Sequence, residues 1–278
     1  MPLTSAITIC LVPEARGGPF VLHAPPTVEG FEAALAAAAA AGFDGVEIFP
    51  PSAAEVRRLP VRSALEAHGL ELAAVGTGAG WVKHRLHLCH ADPEVRRAAI
   101  EFVEGIVDVA GGWGAPAVVG SMQGTSAPGM PPETARDRLA DALESLSARA
   151  RGHGRPLLYE PLNRYETDLF NRQADAAAWL ADRALGDVRL LCDLFHMNIE
   201  EDDVAAALVA CGPRVGHVHF ADSNRRAVGF GHTAMEPVVE ALGRIGYDGF
   251  LSAEVLPLPT PAAAARRTIE SFRHLARR

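Results

Sequence analysis

The stretch VRLLCDLFHMNIEE, residues 188–201, carries the clearest evidence about the fold. Its first six residues are mostly apolar, which predicts a strand buried on both faces, yet this strand ends in Asp193. We predict that His196 lies on the loop above the strand, where it can hydrogen-bond a bound substrate. The acidic residues 200–202 are predicted to fall in the first turn of the next helix, where negative charge is favourable. A single charged strand end is ordinarily a turn or a cap, so the rest of the chain must show whether Asp193 belongs to a site.

The same alternation of a short apolar run and a longer amphipathic segment repeats along the chain. Eight runs are predicted to be strands: AITICLV, GVEIF, LELAAVG, PAVVG, PLLYE, VRLLCD, RVGHVHF and GFLSAE, starting at Ala6, Gly45, Leu70, Pro116, Pro156, Val188, Arg214 and Gly249. Because eight strand–helix units follow one another without a break in composition, we predict an α/β fold, a single (β/α)8 TIM barrel that takes up residues 1–278 as one domain. The alternative is an open doubly wound sheet, which is disfavoured because no glycine-rich phosphate-binding loop follows an early strand.

The segments between the predicted strands contain helices and two long excursions. SAAEVRRLPVRSALEAHG, from Ser52, is predicted to be a helical stretch. GTGAGWVKHRLHLCHA and GSMQGTSAPGM start at Gly76 and Gly120 and follow strands at the end of a barrel where active sites assemble. We therefore predict that these two excursions form walls or lids of the site.

Four successive predicted strands end in residues that can bind a metal ion, namely Glu160, Asp193, His219 and Glu254. They lie about 30 residues apart, the length of one strand–helix unit. In a closed parallel barrel the carboxyl ends of neighbouring strands converge on one mouth, so the four side chains are expected to meet. Three clustered carboxylates without a cation would repel one another. We predict one bound divalent metal ion, with Mn²⁺ favoured and Mg²⁺ or Co²⁺ as alternatives, because these ions suit oxygen and imidazole ligands.

The alternation of side chains along each strand supports this arrangement. Residues two apart point to the same face, so Leu158 shares the orientation of Glu160, and the other strands behave alike. Each predicted ligand therefore caps a column of side chains that faces the barrel interior. His217 lies on the same face as His219 but deeper, and we predict that it is a hydrogen-bonded core histidine.

Composition excludes several classes of function. The net charge of −8 offers no basic surface for nucleic acid. Lys83 is the only lysine, so a Schiff-base mechanism has a single candidate residue. The four cysteines form no Cys-x-x-Cys pair, and the N-terminal sequence has neither a basic region nor a long apolar run. We expect a cytoplasmic protein with reduced thiols, no nucleic-acid partner and no membrane association.

Four motifs are distinctive: EPLNRYETD from Glu160, DLFHMNIEE from Asp193, HVHFADSNR from His217 and GYDGFLSAEV from Gly246. Together they resemble the xylose-isomerase-like TIM barrel superfamily, and within it the ketose 3-epimerases of the D-tagatose 3-epimerase type. The similarity covers essentially the whole chain and is specific mainly from Glu160 onward.

The resemblance implies a role for seven side chains. It implies that one divalent ion is held by Glu160, Asp193, His219 and Glu254. The acid/base pair on opposite faces of a small-molecule sugar would be Glu160 and Glu254. The sugar oxygens would be bound by Glu166, His196 and Arg225. The expected reaction is C3 epimerisation of a ketose through an enediolate, and the resembled enzymes are usually homodimers or homotetramers.

The sequence departs from the family pattern in two places. The chain reads RRAVGFGHT over residues 225–233 and departs from the usual loop after Arg225, so the segment around His232 has no assigned role. The loop WVKHRLHLCH, residues 81–90, has no counterpart, and Trp81 within it would either contact a sugar face or pack in the interior.

Related reactions begin with the same proton abstraction and remain open. They are aldose–ketose isomerisation of the hydroxypyruvate isomerase type and dehydration of an inosose or a dehydroshikimate. A DNA-repair enzyme of the endonuclease IV type is disfavoured, because it needs three metals and the earlier strand ends carry no histidine; His84, His87 and His90 lie further out. A partner-dependent subunit without activity is a further alternative, against which the intact ligand set argues.

Overall fold

Eight parallel strands close into a barrel in the computed structural model, which describes residues 3–276. The strands are β1 Thr4–Cys10, β2 Leu22–His23, β3 Gly45–Phe49, β4 Glu71–Gly76, β5 Ala117–Val119, β6 Leu157–Tyr159, β7 Val188–Asp193, β8 Val215–His219 and β9 Phe250–Ala253. The ring closes because β1 pairs with β3 on one side and with β9 on the other. The two-residue β2 pairs only with the end of β1 and lies outside the ring. The predicted (β/α)8 TIM barrel is confirmed.

Helices surround the barrel and connect its strands. They are α1 Val28–Ala41, α2 Ala53–Val56, α3 Val61–His68, α4 Ala79–His84, α5 Pro93–Gly112, α6 Pro132–Gly152, α7 Gln173–Asp182, α8 Leu194–Glu200, α9 Val204–Cys211, α10 Met235–Arg244 and α11 Pro261–Ala276. Their ends follow local chemistry: the Thr27 side chain accepts from Gly30 N at the start of α1, and Gly42, at a φ of 88°, ends that helix. Within residues 3–276, the helices lack the length and apolarity that crossing a membrane requires.

Three local predictions differ from the structure. The stretch from Ser52 is not one helix, because Pro60 has no backbone N–H and separates α2 from α3. The first long excursion contains the short helix α4. His196 lies on the helix α8 and not on a loop, because this helix begins directly after Asp193.

Side chains alternate between two hydrophobic layers along each barrel strand. In β7, Leu190 and Cys192 face the layer between barrel and helices, which forms the main core. Leu191 faces inward, where it packs with Leu158 and with alanine and valine from β4 and β5 in a small cluster inside the barrel. The next inward position on β7 is Asp193. The predicted alternation is therefore confirmed, and inward-facing columns lead from the barrel interior to the mouth.

Candidate active site

Four of the predicted site residues converge at the carboxyl ends of β6 to β9. One ligand atom from each of Glu160, Asp193, His219 and Glu254 lies within 4.8 Å of the corresponding atoms of the others. Strand pairing brings two of them side by side, because Asp193 and His219 are register partners across β7 and β8. Backbone pairing also fixes Glu160, whose N–H donates to the Val119 carbonyl at 3.0 Å. The convergence follows from the closed barrel.

Asp193 serves the backbone and the cluster at the same time. Its Oδ1 accepts from Phe195 N at 2.7 Å, so that the carboxylate caps the start of α8. Its Oδ2 faces the cluster, 3.4 Å from His219 Nδ1. The question raised by the charged end of β7 thus has a local answer, since one carboxylate ends the strand, starts a helix and faces the barrel mouth.

The cluster fits a metal ion because it contains buried polar atoms without partners. Glu160 Oε1, Asp193 Oδ2 and His219 Nδ1 are buried and have no hydrogen-bond partner among residues 3–276. Leaving such atoms unpaired in the protein interior is costly. Carboxylate oxygens from three residues and one imidazole nitrogen form a donor set suited to a hard or borderline divalent cation. A cation bound here would satisfy all three atoms at once.

Electrostatics in the cluster are dominated by burial and by like charges. Burial, together with the charges of Glu254 and Asp193, raises the pKa of Glu160 well above its ordinary value, although the charge of His219 opposes this. Burial likewise raises the pKa of Glu254. The pKa of Asp193 is lowered, because its interactions with His196 and His219 outweigh the effect of its burial. Repulsion between the carboxylates therefore disfavours their being charged together, and a bound cation would relieve it.

Arg225 and Glu166 lie at the outer edge of this cluster. The Arg225 guanidinium donates from Nη2 to Glu254 Oε2 at 2.8 Å, and its Nη1 lies 3.6 Å from Glu166 Oε1. It also lies over the Phe195 ring, 4.9 Å from the ring centroid. Its backbone has a φ of 55°, the left-handed region that side chains seldom adopt, and such strain is often found at functional sites.

His196 completes the group and is 1% exposed. Its Nε2 lies 3.7 Å from both Glu160 Oε1 and Asp193 Oδ2, and its Nδ1 lies 2.7 Å from the side-chain nitrogen of Asn163. Burial lowers the pKa of His196, which favours a neutral ring. All seven predicted site residues are thus brought together, six of them lining one cavity of about 390 Å³ and Asp193 clustering with three of those six.

The acidic residues after His196 were placed wrongly in the first turn of the next helix. Helix α9 begins at Val204, with Asp203 as its N-cap. Glu200 ends α8 and accepts from both the backbone and the side chain of Arg164. Glu201 accepts from Gln173 N at 2.7 Å and so caps α7, although the two residues are 28 positions apart in the sequence. Glu200 and Glu201 therefore hydrogen-bond to the segment that follows β6 and hold it against the end of α8.

Two buried residues of the site were missed at the sequence level. Glu47, in the middle of β3, lies 3.0 Å from His217 Nε2 and 3.3 Å from His219 Nε2. Asn163 contacts His196 and donates to Glu166 Oε1 at 2.9 Å. An acid inside the otherwise apolar run GVEIF was a usable signal for Glu47. His217 is a buried, hydrogen-bonded histidine in the interior, as predicted.

The predicted wall residues contribute to the cavity. Trp81 and Val82 of α4 line it together with Phe20 and Phe49, whose ring centroids are 4.6 Å apart. Gly120 and Ser121, at the start of the second excursion, also line it. The cavity therefore has an apolar part in addition to its carboxylates, although Glu14 and Arg16 also line it.

The histidines of the residue 81–90 loop do not join the carboxylate cluster. Among residues 3–276, the groups able to hold a metal contain none of His84, His87 and His90. His87 instead contacts Cys89 Sγ at 3.4 Å and packs against His90. Burial and the charge of His90 lower the pKa of His87 to about 4. This arrangement gives no support to a three-metal site of the endonuclease IV type.

The unusual loop after Arg225 is organised by a buried acid. Asp222 accepts from the backbone N–H groups of Gly229, Gly231 and Thr233 at 2.7 to 3.0 Å. His232 is exposed, and its N–H donates to Ser223 Oγ. Asp222 therefore holds this loop together. His232 is not among the residues that line the cavity.

Comparison with known proteins supports the fold and the predicted family. A ketose 3-epimerase from Arthrobacter globiformis is 31% identical over 252 residues, which cover 89% of this chain and 85% of that protein. A 3-dehydro-D-guloside 4-epimerase from Escherichia coli is 31% identical over 245 residues, covering 84% and 90%. The solved structure of an L-ribulose 3-epimerase has a TM-score of 0.81 at 25% identity and covers 99% of this chain and 96% of that one. The predicted likeness to ketose 3-epimerases is thereby confirmed.

The sequence profile of one protein family matches residues 35–275, which is most of the chain and includes every residue of the cluster. That family is the xylose isomerase-like TIM barrel family, and this chain belongs to it.

Proposed function

We propose that this chain is a metal-dependent sugar epimerase that inverts C3 of a ketose, with Glu160 and Glu254 as its acid/base pair. The observation that carries the proposal is the convergence of three carboxylates and one imidazole at the barrel mouth, where buried atoms of Glu160, Asp193 and His219 have no hydrogen-bond partner within residues 3–276. Two relatives at 31% identity are carbohydrate epimerases, and a third at the same identity is a putative hydroxypyruvate isomerase, which supports the enzyme class.

A divalent cation bound by Glu160, Asp193, His219 and Glu254 would supply electrostatic stabilisation of the negative charge that develops when a proton next to a ketone is removed. Mn²⁺ is the proposed ion, with Mg²⁺ or Co²⁺ as alternatives, because these ions accept oxygen and nitrogen ligands together.

Glu160 and Glu254 approach the centre of the mouth from different sides, since β7 and β8 lie between the strands that carry them. One carboxylate oxygen would take the proton from the carbon, and the other carboxyl group would return a proton to the opposite face. Arg225 bonds to Glu254 Oε2 and so orients that carboxylate. Return of the proton to the same carbon from the other side inverts it.

The remaining cavity residues suit a small polyol. Glu166, His196 and Arg225 present polar atoms toward the space above the carboxylates, where hydroxyl and carbonyl oxygens of a sugar would bind. Phe20, Phe49 and Trp81 offer an apolar surface for the carbon-bound hydrogens. A volume of about 390 Å³ is within the range of small-molecule sites, and the proposed substrate is an unphosphorylated monosaccharide.

The most informative experiment is to incubate the protein with Mn²⁺ and a panel of ketopentoses and ketohexoses and to separate the products by chromatography. The proposal expects C3 epimers. Aldose products would indicate isomerisation of the hydroxypyruvate isomerase type, and loss of water would indicate a dehydratase; either outcome would replace C3 epimerisation while keeping the same first step. Absence of any product across the panel, with metal bound, would contradict the proposed class.

Three further expectations belong to this proposal. The active site of the one-domain chain, residues 1–278, is proposed to be the mouth at the carboxyl ends of the strands. A cytoplasmic location and no nucleic-acid partner are proposed from the acidic composition and from four buried cysteines without disulfides among residues 3–276. A homodimer or homotetramer is proposed from the family, and its measurement is the mass in solution.

A further inference from the structure

Two imidazoles face the same centre, and distance alone does not separate them. His219 Nδ1 lies 3.4 Å from Asp193 Oδ2 and 3.7 Å from Glu160 Oε1. His196 Nε2 lies 3.7 Å from each of the same two oxygens. Both nitrogens lack a hydrogen-bond partner within residues 3–276. Which ring binds a cation and which donates a proton must depend on the nitrogen at the far side of each ring, because that partner decides where the ring proton sits.

The far nitrogen of His219 faces a carboxylate. Both oxygens of Glu47 lie 3.3 Å from His219 Nε2, and the second also lies 3.0 Å from His217 Nε2. Glu47 is 5% exposed, and its carboxyl group, which can carry at most one hydrogen, faces the Nε2 atoms of both rings. A carboxylate that faces two imidazoles acts as their acceptor, so His219 Nε2 carries a hydrogen. In the neutral ring, His219 Nδ1 is then bare and faces the cluster.

The far nitrogen of His196 faces hydrogen-bond donors instead. The backbone N–H of Asn163 donates to His196 Nδ1 at 3.3 Å. The Asn163 amide is oriented by two other bonds, since its Oδ1 accepts from Tyr165 N and its Nδ2 donates to Glu166 Oε1, both at 2.9 Å. This fixes Nδ2 as the atom 2.7 Å from His196 Nδ1. His196 Nδ1 is therefore an acceptor, and its hydrogen sits on Nε2, which faces the cluster.

We infer that Glu47 and Asn163 are positioning residues that set whether the nitrogen of each histidine that faces the cluster carries a hydrogen. Glu47 makes His219 a metal ligand, and Asn163 makes His196 a hydrogen-bond donor. Both rings carry their hydrogen on Nε2, but His219 turns its bare nitrogen to the centre and His196 turns its N–H. A nitrogen that carries a hydrogen cannot bind a cation, so His196 stays available for a substrate oxygen. The inference rests on the proposed metal-dependent function and identifies two residues that reach the chemistry only through others.

The test compares Glu47→Gln and Asn163→Asp with the wild-type chain. Mn²⁺ affinity is measured by competition with a chromogenic chelator, and KM and kcat are measured on whichever ketose is turned over. Glu47→Gln removes the charged acceptor behind His219, and we expect Mn²⁺ to bind about 10- to 100-fold more weakly. Asn163→Asp offers an acceptor to His196 Nδ1 and moves the hydrogen there, so we expect Mn²⁺ to bind at least as tightly while KM rises. Glu144→Gln, on the exposed face of α6, is the matched control and should change neither quantity.

A measurement on the wild-type chain keeps the inference testable even if the variants fail to fold. Long-range ¹H–¹⁵N spectra of the Mg²⁺-loaded wild-type chain report which nitrogen of each histidine carries hydrogen. Hydrogen on Nε2 of both rings supports the inference, whereas hydrogen on His196 Nδ1, or unchanged Mn²⁺ affinity in a folded Glu47→Gln variant, overturns it. Failure of the wild-type chain to bind any divalent ion contradicts the proposed function instead, so the two failures are distinguishable.

Discussion

Gly120 offers a sharp way to disturb the site without removing any of its groups. This glycine follows β5, and a Cβ built on it would lie 2.4 Å from Glu160 Oε2. Ordinary van der Waals contact begins at 3.4 Å, so Gly120→Ala must displace the carboxylate by roughly the 1.0 Å difference between these two distances. The displaced atom is the free end of a flexible side chain, so the fold can absorb the change by rotating Glu160. Catalysis cannot absorb the change, because the displaced oxygen belongs to Glu160, which is both a predicted metal ligand and a predicted acid/base group.

The expected effects on activity and on stability therefore separate. A misplacement of about 1 Å at a reacting group can cost on the order of 100-fold in rate, and we expect a loss of that size in kcat/KM. The free energy of unfolding should fall by less than about 1 kcal/mol, since no buried atom is deleted and no cavity is created. Weaker Mn²⁺ binding should accompany the loss of rate, because the same carboxylate is a predicted ligand.

The assay is steady-state epimerisation together with urea unfolding and Mn²⁺ titration of the same samples. Gly152→Ala is the matched control, because it lies at the end of α6 with nothing within 4 Å of its added Cβ. This control should keep full turnover and gain up to about 1 kcal/mol of stability from the better helix former. Wild-type turnover and Mn²⁺ affinity in Gly120→Ala would refute the placement of Glu160 in the site.

Four further predictions test separate parts of the structure. Adding Mn²⁺ to chelator-treated protein at about 100 times its Kd should stabilise the fold by roughly 2.7 kcal/mol, and an unchanged melting temperature would argue against a built metal site. Glu254→Gln should abolish exchange of the substrate's α-proton with deuterated solvent while circular dichroism stays native; retained exchange would remove Glu254 from the acid/base pair. Leu158→Ala should cost about 2–5 kcal/mol in urea unfolding, because Leu158 is fully buried inside the barrel, and a cost below about 1 kcal/mol would contradict that packing. Glu201→Ala should cost about 1 kcal/mol through loss of the cap on α7, and Asp202→Ala, on an exposed neighbour, should have a smaller effect in the same unfolding assay.

The barrel and the four converging residues could be predicted from sequence for a physical reason. A parallel strand buried on both faces is apolar along its length, so Asp193 at the end of such a run stands out. Closure of the barrel then makes strand ends neighbours in space, whatever their separation in sequence. Spacing and strand alternation were therefore sufficient to bring Glu160, Asp193, His219 and Glu254 to one mouth.

The supporting residues could not be found in the same way, because their partners lie across the barrel. Glu47 is on β3 and contacts His217 and His219 on β8, at separations of 170 and 172 residues that no local pattern encodes. Asn163 looks like a loop residue in the motif EPLN, and only the position of α8 brings His196 to it. Periodicity describes which face a side chain takes but not which distant group it meets.

Local backbone chemistry accounts for the errors near His196. Asp193 ends β7 and caps α8 at once, so the helix begins one residue after the strand and carries His196 with it. The acids Glu200 and Glu201 were assigned to a helix start on charge alone. Their partners are Arg164 and Gln173, which follow a different strand, so the true roles required the folded barrel.

The central claim is that four strand ends share one cation, and its most direct measurement is a crystal structure of the protein grown with Mn²⁺. Anomalous scattering should reveal a single strong peak at the barrel mouth. We predict that this peak lies about 2.1 Å from an oxygen of each of Glu160, Asp193 and Glu254 and from His219 Nδ1, with His196 outside bonding distance. A peak bonded to His196 in place of His219, or no Mn²⁺ peak among these four side chains, would contradict the claim.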